Sequence, residues 1–86
     1  MYHLYILKSK NFPRHYIGIT ENLEGRLAKH NGAGVQSTKP YCPWQMIYIE
    51  NFGTKKEARE REIFLKKTAK ARTALFEQID NNGPIV

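Results

Sequence analysis

Tyr2-His-Leu-Tyr-Ile-Leu-Lys8 and, after a short gap, His15-Tyr-Ile-Gly-Ile19 are the stretches that decide the fold. Both are dense in aromatic and β-branched residues, the side chains that fit a pleated, half-buried surface, so each reads as a strand. Ser9 to Arg14, with Asn11 and Pro13, reads as the loop of a hairpin between them. Alternation puts Tyr2, Leu4 and Ile6 on one face of the first strand and His3, Tyr5 and Leu7 on the other. Tyr16 and Gly18 share a face of the second strand, opposite Ile17 and Ile19.

Working outward, Thr20 is a good N-cap for a helix from about Glu21 to Asn31, with Glu21 and Glu24 in its electropositive first turn. Asn31-Gly32 predicts a left-handed C-terminal cap. Leu23 and Leu27 supply the apolar stripe. Gly25 inside the helix costs about 1 kcal/mol against Ala, which points to close packing or close approach of a ligand. Gly32 to Pro43 is a loop, and Trp44 to Asn51 a third strand. Thr54-Lys-Lys-Glu57 is a capping box opening a helix to about Thr68, followed by a short helix over roughly 70–80. The order ββαβαα predicts an α+β fold: a three-stranded antiparallel sheet flanked by helices, one domain over residues 1–80 with a tail at 81–86.

Size limits what such a chain can be. With 86 residues it buries only about 60–65% of its unfolded surface, room for one sheet and a few helices. No apolar run approaches the roughly 18–20 residues of a membrane span, and the N-terminus lacks the plan of a signal peptide. Cys42 is the single cysteine, which excludes an internal disulfide and a cysteine-based zinc site; a cytoplasmic protein is expected. The formal net charge of +6 and a pI near 9.6 suit a polyanionic partner, although many small proteins are basic without binding one.

Few side chains carry chemistry. Tyr5 and Tyr16 share one face of neighbouring strands if the hairpin pairs in the simplest way, and each is equally a favoured strand residue. Gly18 beside them marks close approach of a backbone or ligand. Arg26 and His30, four apart, project from one side of the first helix, rotated from Leu23 and Leu27; that side faces a cleft or is solvated. Arg offers a planar fork matched to phosphate oxygens, and His titrates near neutrality. Glu62 falls on the stripe of Ala58, Leu65 and Ala69, where a carboxylate is costly unless a cation or metal meets it. The competing reading is an exposed Glu62–Lys66 pair. His3 and His15 lack metal-ligand spacing, and no phosphate loop, dinucleotide fingerprint or zinc motif is present.

Together these residues resemble the GIY-YIG nuclease domain. Its first signature is similar to His3-Leu4-Tyr5, with His3 in place of the usual glycine, and its second to Tyr16-Ile17-Gly18. Thr20, Asn22-Leu23, Arg26, His30-Asn31, Ser37-Thr38-Lys39, Pro43-Trp44, Glu57-Ala58 and Arg61-Glu62 continue the likeness to the small stand-alone bacterial members, over residues 2 to about 75. The resemblance implies a metal-dependent endonuclease hydrolysing DNA phosphodiesters, with Tyr5, Tyr16, Arg26, His30 and Glu62 as catalytic residues. Glu62 would hold one Mg²⁺ or Mn²⁺ with waters and phosphate oxygens. Arg26 would neutralise the scissile phosphate, and Tyr16 or Tyr5 would position or deprotonate water, helped by the metal, Arg26 or His30.

Gly18, Lys29, Lys39 and Lys66 are the expected nucleic-acid contacts, with Lys67 a further candidate for a phosphate track. Duplex or branched DNA is the expected partner, with a separate protein supplying specificity and a role in repair or recombination. The alternatives are a nucleic-acid-binding module without nuclease activity and a basic structural or RNA-associated protein. The last would leave the five residues scattered rather than in one cleft.

Overall fold

The computed structural model describes residues 1–32 and 34–82. The elements run β1 (Tyr2–Ser9), β2 (His15–Thr20), α1 (Leu23–Asn31), a single 3₁₀ turn (Lys39–Tyr41), β3 (Trp44–Phe52), α2 (Lys55–Lys67) and α3 (Ala69–Asn82). This is the ββαβαα order expected from the sequence. Within the expected 81–86 tail, residues from 83 onward lie outside the described part, and Asn81 and Asn82 finish α3.

The sheet is antiparallel throughout, in the order β2-β1-β3. The central β1 is covered on both faces, which is why Leu4, Tyr5, Ile6 and Leu7 are all buried in succession. Leu4 and Ile6 pack with Ile17, Ile47, Leu65 of α2 and Leu75 and Ile79 of α3. Tyr5 and Leu7 pack on the opposite face with Trp44, under Leu23 and Leu27 of α1. Each fully buried Leu or Ile contributes about 1.5–3 kcal/mol, so this two-sided core accounts for the stability of a small sheet.

A bulge in β3 serves both faces. Ile6 pairs with Tyr48 and Leu7 with Met46, so Ile47 is the extra residue. The bulge sends Ile47 and Tyr48 to the Leu4/Ile6 side, while Met46 stays with Leu7. Glu50 then joins Tyr48, whose hydroxyl donates to it at 2.6 Å, and Arg61 of α2 grips the same carboxylate at 3.0 and 3.1 Å.

The helix ends differ in detail from the sequence reading. Asn22, not Thr20, caps α1, its Oδ1 accepting from Gly25 N–H at 3.0 Å. Thr20 still belongs to β2, paired with His3, and its hydroxyl accepts from Asn22 N–H one step earlier. The tight neighbour of Gly25 is this capping amide, not a ligand: an added Cβ would stand 2.5 Å from the Asn22 side-chain nitrogen. Gly32 caps the other end at φ −84°, outside the left-handed region expected, with its N–H bonded to Ala28 O. On α2 the Thr54 cap forms as expected, its Oγ1 accepting from Glu57 N–H. Ala69 leaves the Ala58/Leu65 stripe and is exposed, because α2 ends at Lys67 and Ala69 opens α3. Among the described residues no helix is long and apolar enough to cross a membrane.

Candidate active site

Tyr5 sits in mid-sheet, opposite Gly18 on β2 and Ile49 on β3. A Cβ on Gly18 would lie 2.6 Å from the Tyr5 hydroxyl oxygen and 2.8 Å from the ring carbon bearing it. The bare glycine is therefore what lets the phenol lie across β2. Gly18 itself is buried, and the space its missing side chain leaves is filled by the Tyr5 phenol.

Asn31 ties the end of α1 to β3 with two hydrogen bonds to the Trp44 backbone, which holds the helix over this face. Arg26 and His30, one turn apart on α1, both reach the Tyr5 hydroxyl. Arg26 Nε donates to it at 3.3 Å, and His30 Nε2 lies 3.0 Å away. His30 is fully buried, so the solvated-face reading of this pair does not hold.

The partners assign the protons. Thr38, also buried, donates its single hydroxyl proton to Val35 O, so its oxygen accepts from His30 Nδ1–H at 2.8 Å. Burial, then the Arg26 and Lys29 charges, push the His30 pKa below its ordinary value, so the ring is neutral near pH 7. With Nδ1 protonated, Nε2 is a bare acceptor, and the Tyr5 O–H donates to it. The result is a directed chain, Arg26 to Tyr5 to His30 to Thr38 to a backbone carbonyl. Burial raises the Tyr5 pKa against the pull of the Arg26 hydrogen bond, with the Tyr16 and Glu62 charges adding smaller pushes upward. Tyr5 is thus a neutral, fully buried link, and its hydrogen bond raises the Arg26 pKa further.

Tyr16 closes the cluster. Its ring centre is 4.8 Å from that of His30 and 6.2 Å from that of Tyr5, and the side chain is only half-buried. Of the two tyrosines it alone is open to a substrate.

Glu62 arrives from α2, 6% exposed, with Ala58 and Leu65 on the same buried stripe. Both sequence readings of Glu62 hold in part: it is buried, and it is also paired with Lys66. Arg59 donates to one carboxylate oxygen and Lys66 to the other, each at 3.0 Å. Lys66 Nζ also stands 5.6 Å from the centre of the Tyr16 ring, so one ammonium spans the gap between carboxylate and phenol. Tyr5, Tyr16, Arg26 and His30 are therefore in direct contact, and Glu62 adjoins them through Lys66. Lys29 and Lys39 lie exposed outside this cluster. Thr38 is the member that sequence reasoning passed over. It lay within the Ser37-Thr38-Lys39 segment, where its chain position gave no hint of a histidine partner.

A family profile described as the GIY-YIG catalytic domain matches residues 1–74. The chain belongs to the GIY-YIG family. Similar proteins include members of the UPF0213 group. One from Clostridium perfringens is 43% identical over 68 residues, 78% of this chain and 72% of its own length. The UPF0213 protein YazA of Bacillus subtilis is 34% identical over 92% of this chain and 80% of its own. One from Halobacterium salinarum is 33% identical over 88% of this chain and all of its own. No solved structure matches significantly.

GIY-YIG is a family of nuclease domains acting on DNA, generally with a divalent metal. In this GIY-YIG chain the first signature's glycine is His3, whose Nδ1 meets Asn51 Oδ1 of β3 at 2.6 Å. The replacement is thus absorbed as a cross-strand side-chain pair. Among the described residues no three His, Cys, Asp or Glu side chains gather as a metal cage. A single carboxylate nevertheless fits Mg²⁺ or Mn²⁺, which keep several waters and are commonly held by one or two carboxylates plus substrate phosphates. Lys66, about half exposed at its side chain, is free to give way to such an ion.

Proposed function

We propose that this chain is a metal-dependent endonuclease that hydrolyses DNA phosphodiester bonds, with Tyr5, Tyr16, Arg26, His30 and Glu62 as its working residues. The observation that carries the reading is the hydrogen-bonded line Arg26–Tyr5–His30 beside the half-open Tyr16, with a buried carboxylate alongside. Arg26 is held by its Nε, leaving the terminal nitrogens of its fork to neutralise the scissile phosphate. Tyr16 positions the attacking water and takes part in removing its proton. Tyr5 holds Arg26 and transmits its orientation to His30, and Thr38 keeps His30 in the tautomer that accepts from Tyr5. Glu62 would hold the Mg²⁺ or Mn²⁺, which when bound stabilises charge developing on the phosphate and the leaving 3′ oxygen.

A second reading, a nucleic-acid-binding module without nuclease activity of its own, is favoured by one observation. Both oxygens of Glu62 are already engaged by Arg59 and Lys66. In that case a partner protein or the substrate itself would have to draw Lys66 away. The reducing cytoplasm, and a task in repair or recombination on branched DNA, are the setting proposed for either reading.

Cleavage of labelled duplex, single-stranded, flap and four-way-junction DNA with Mg²⁺ or Mn²⁺ tests the choice, wild type beside Glu62→Ala. The variant leaves two half-exposed cations free to hydrate, so its fold should persist. The nuclease reading requires metal-dependent cutting that Glu62→Ala abolishes. Binding without cutting by both proteins would favour the module, and cutting by Glu62→Ala at the wild-type rate would remove Glu62 from the mechanism.

A further inference from the structure

A recess of about 380 Å³ opens next to the candidate active site, and Tyr16 and Lys66 form part of its wall. That volume is at the lower end of small-ligand clefts, about 300–1,000 Å³. Arg14 from the β1–β2 loop, Lys66 from α2 and Arg72 from α3 all line it, and no carboxylate does. The imidazole of His15 and the ring of Phe76, stacked with centres 4.1 Å apart and planes 12° from parallel, supply a flat aromatic wall.

The bland account is that cations gather at the C-terminal end of α2 to meet its negative dipole end. It covers part of the pattern. Arg72 Nη1 does donate to the Leu65 and Lys66 carbonyls, at 3.2 and 2.9 Å. It does not cover Arg14, which comes from a loop and lies against Tyr41. Nor does it cover His15 Nε2, which among the described residues is the one buried side-chain polar atom without a hydrogen-bond partner. Lys66 is already paired with Glu62, so Arg14 and Arg72 are the two cations at this recess without a carboxylate partner among the described residues, and an anion between them would relieve their mutual repulsion.

Resting on the nuclease reading for the identity of the strand, we infer that this recess holds a phosphodiester flanking the scissile one. Arg14 and Arg72 clamp the phosphate, and the His15–Phe76 stack carries the attached sugar and base. Lys66 and Tyr16, shared between recess and active site, make the two subsites contiguous, so a single strand occupies both. The strand therefore runs along the β2 edge towards the joint of α2 and α3.

Binding of a fluorescein-labelled DNA oligonucleotide, followed by anisotropy across a KCl series in EDTA, tests this without any cleavage step. Arg14→Gln and Arg72→Gln are compared with wild type and with Lys56→Gln on the first turn of α2. Each Arg variant should weaken binding at every salt concentration and flatten the log–log salt slope by about one unit, with Lys56→Gln matching wild type. Arg14 is exposed, so its variant reads binding even if Arg72→Gln loosens the α2–α3 joint. Wild-type slopes in Arg14→Gln would overturn the inference while leaving the nuclease reading intact. Failure of wild type to bind DNA at any salt would overturn both.

Discussion

Thr38→Val is the substitution that most directly probes the proton arrangement at the candidate site. It keeps the shape of a buried side chain and removes the oxygen that accepts from His30 Nδ1–H at 2.8 Å. The ring has no way out by changing tautomer. Moving the proton to Nε2 would satisfy that nitrogen through a lone pair of the Tyr5 oxygen, but the Tyr5 O–H would then lose its acceptor. In either form one buried donor is orphaned, which costs about 1–3 kcal/mol. In a domain of this size each kcal/mol lowers Tm by roughly 4–8 °C. Urea unfolding should show that loss, and long-range ¹H–¹⁵N correlation spectra should show the wild-type His30 protonated at Nδ1. Thr38→Ser, which keeps the hydroxyl, should recover most of the stability. Wild-type stability in Thr38→Val, or a wild-type His30 protonated at Nε2, would refute the directed chain from Arg26 to Val35.

Gly18→Ala should destabilise the protein by about 1–3 kcal/mol, the cost of overpacking, because its Cβ would sit 2.6 Å from the oxygen of the fully buried Tyr5. Its circular dichroism melt should fall while Gly34→Ala, on an exposed loop, is the milder change. Stability should also decline as pH falls below about 6.5. His30 and His15 both have folded pKa values depressed chiefly by burial, so the unfolded chain binds more protons there. Urea midpoints between pH 8 and pH 5 check this: a flat profile would contradict burial of both rings, and His15→Phe should lessen the slope.

Much of the architecture was legible in the chain because it depends on short-range rules. The two tyrosine strands, the Thr54 cap and most of the apolar stripes of the helices follow from local propensity and periodicity, and the β1–β2 hairpin follows from its short connection, whereas the pairing of β3 with β1 is long-range. The likeness to the GIY-YIG signature, read from Tyr5, Tyr16-Ile17-Gly18, Arg26, His30 and Glu62, agreed with the family match. The misplaced α1 cap shows the limit of local reading. Thr20 and Asn22 are both competent caps, and the ladder between Thr20 and His3 selected Asn22.

The amino-acid order specifies an inventory: two tyrosines, an arginine, a histidine and a glutamate, and the elements that carry them. Tertiary structure decided how each is used. Tyr5 and Tyr16 are the same residue type on the same face. Burial beneath α1 makes Tyr5 a locked hydrogen-bond link, whereas the β2 edge leaves Tyr16 open. Local pattern leaves Glu62 between a buried carboxylate and a surface ion pair, and the packing of α2 makes it buried and ion-paired at once. Thr38, eight residues beyond His30, acquired its role only when the loop folded back over α1. Solvent exposure and long-range hydrogen bonds are properties of the packed chain, and no local pattern of residues encodes them.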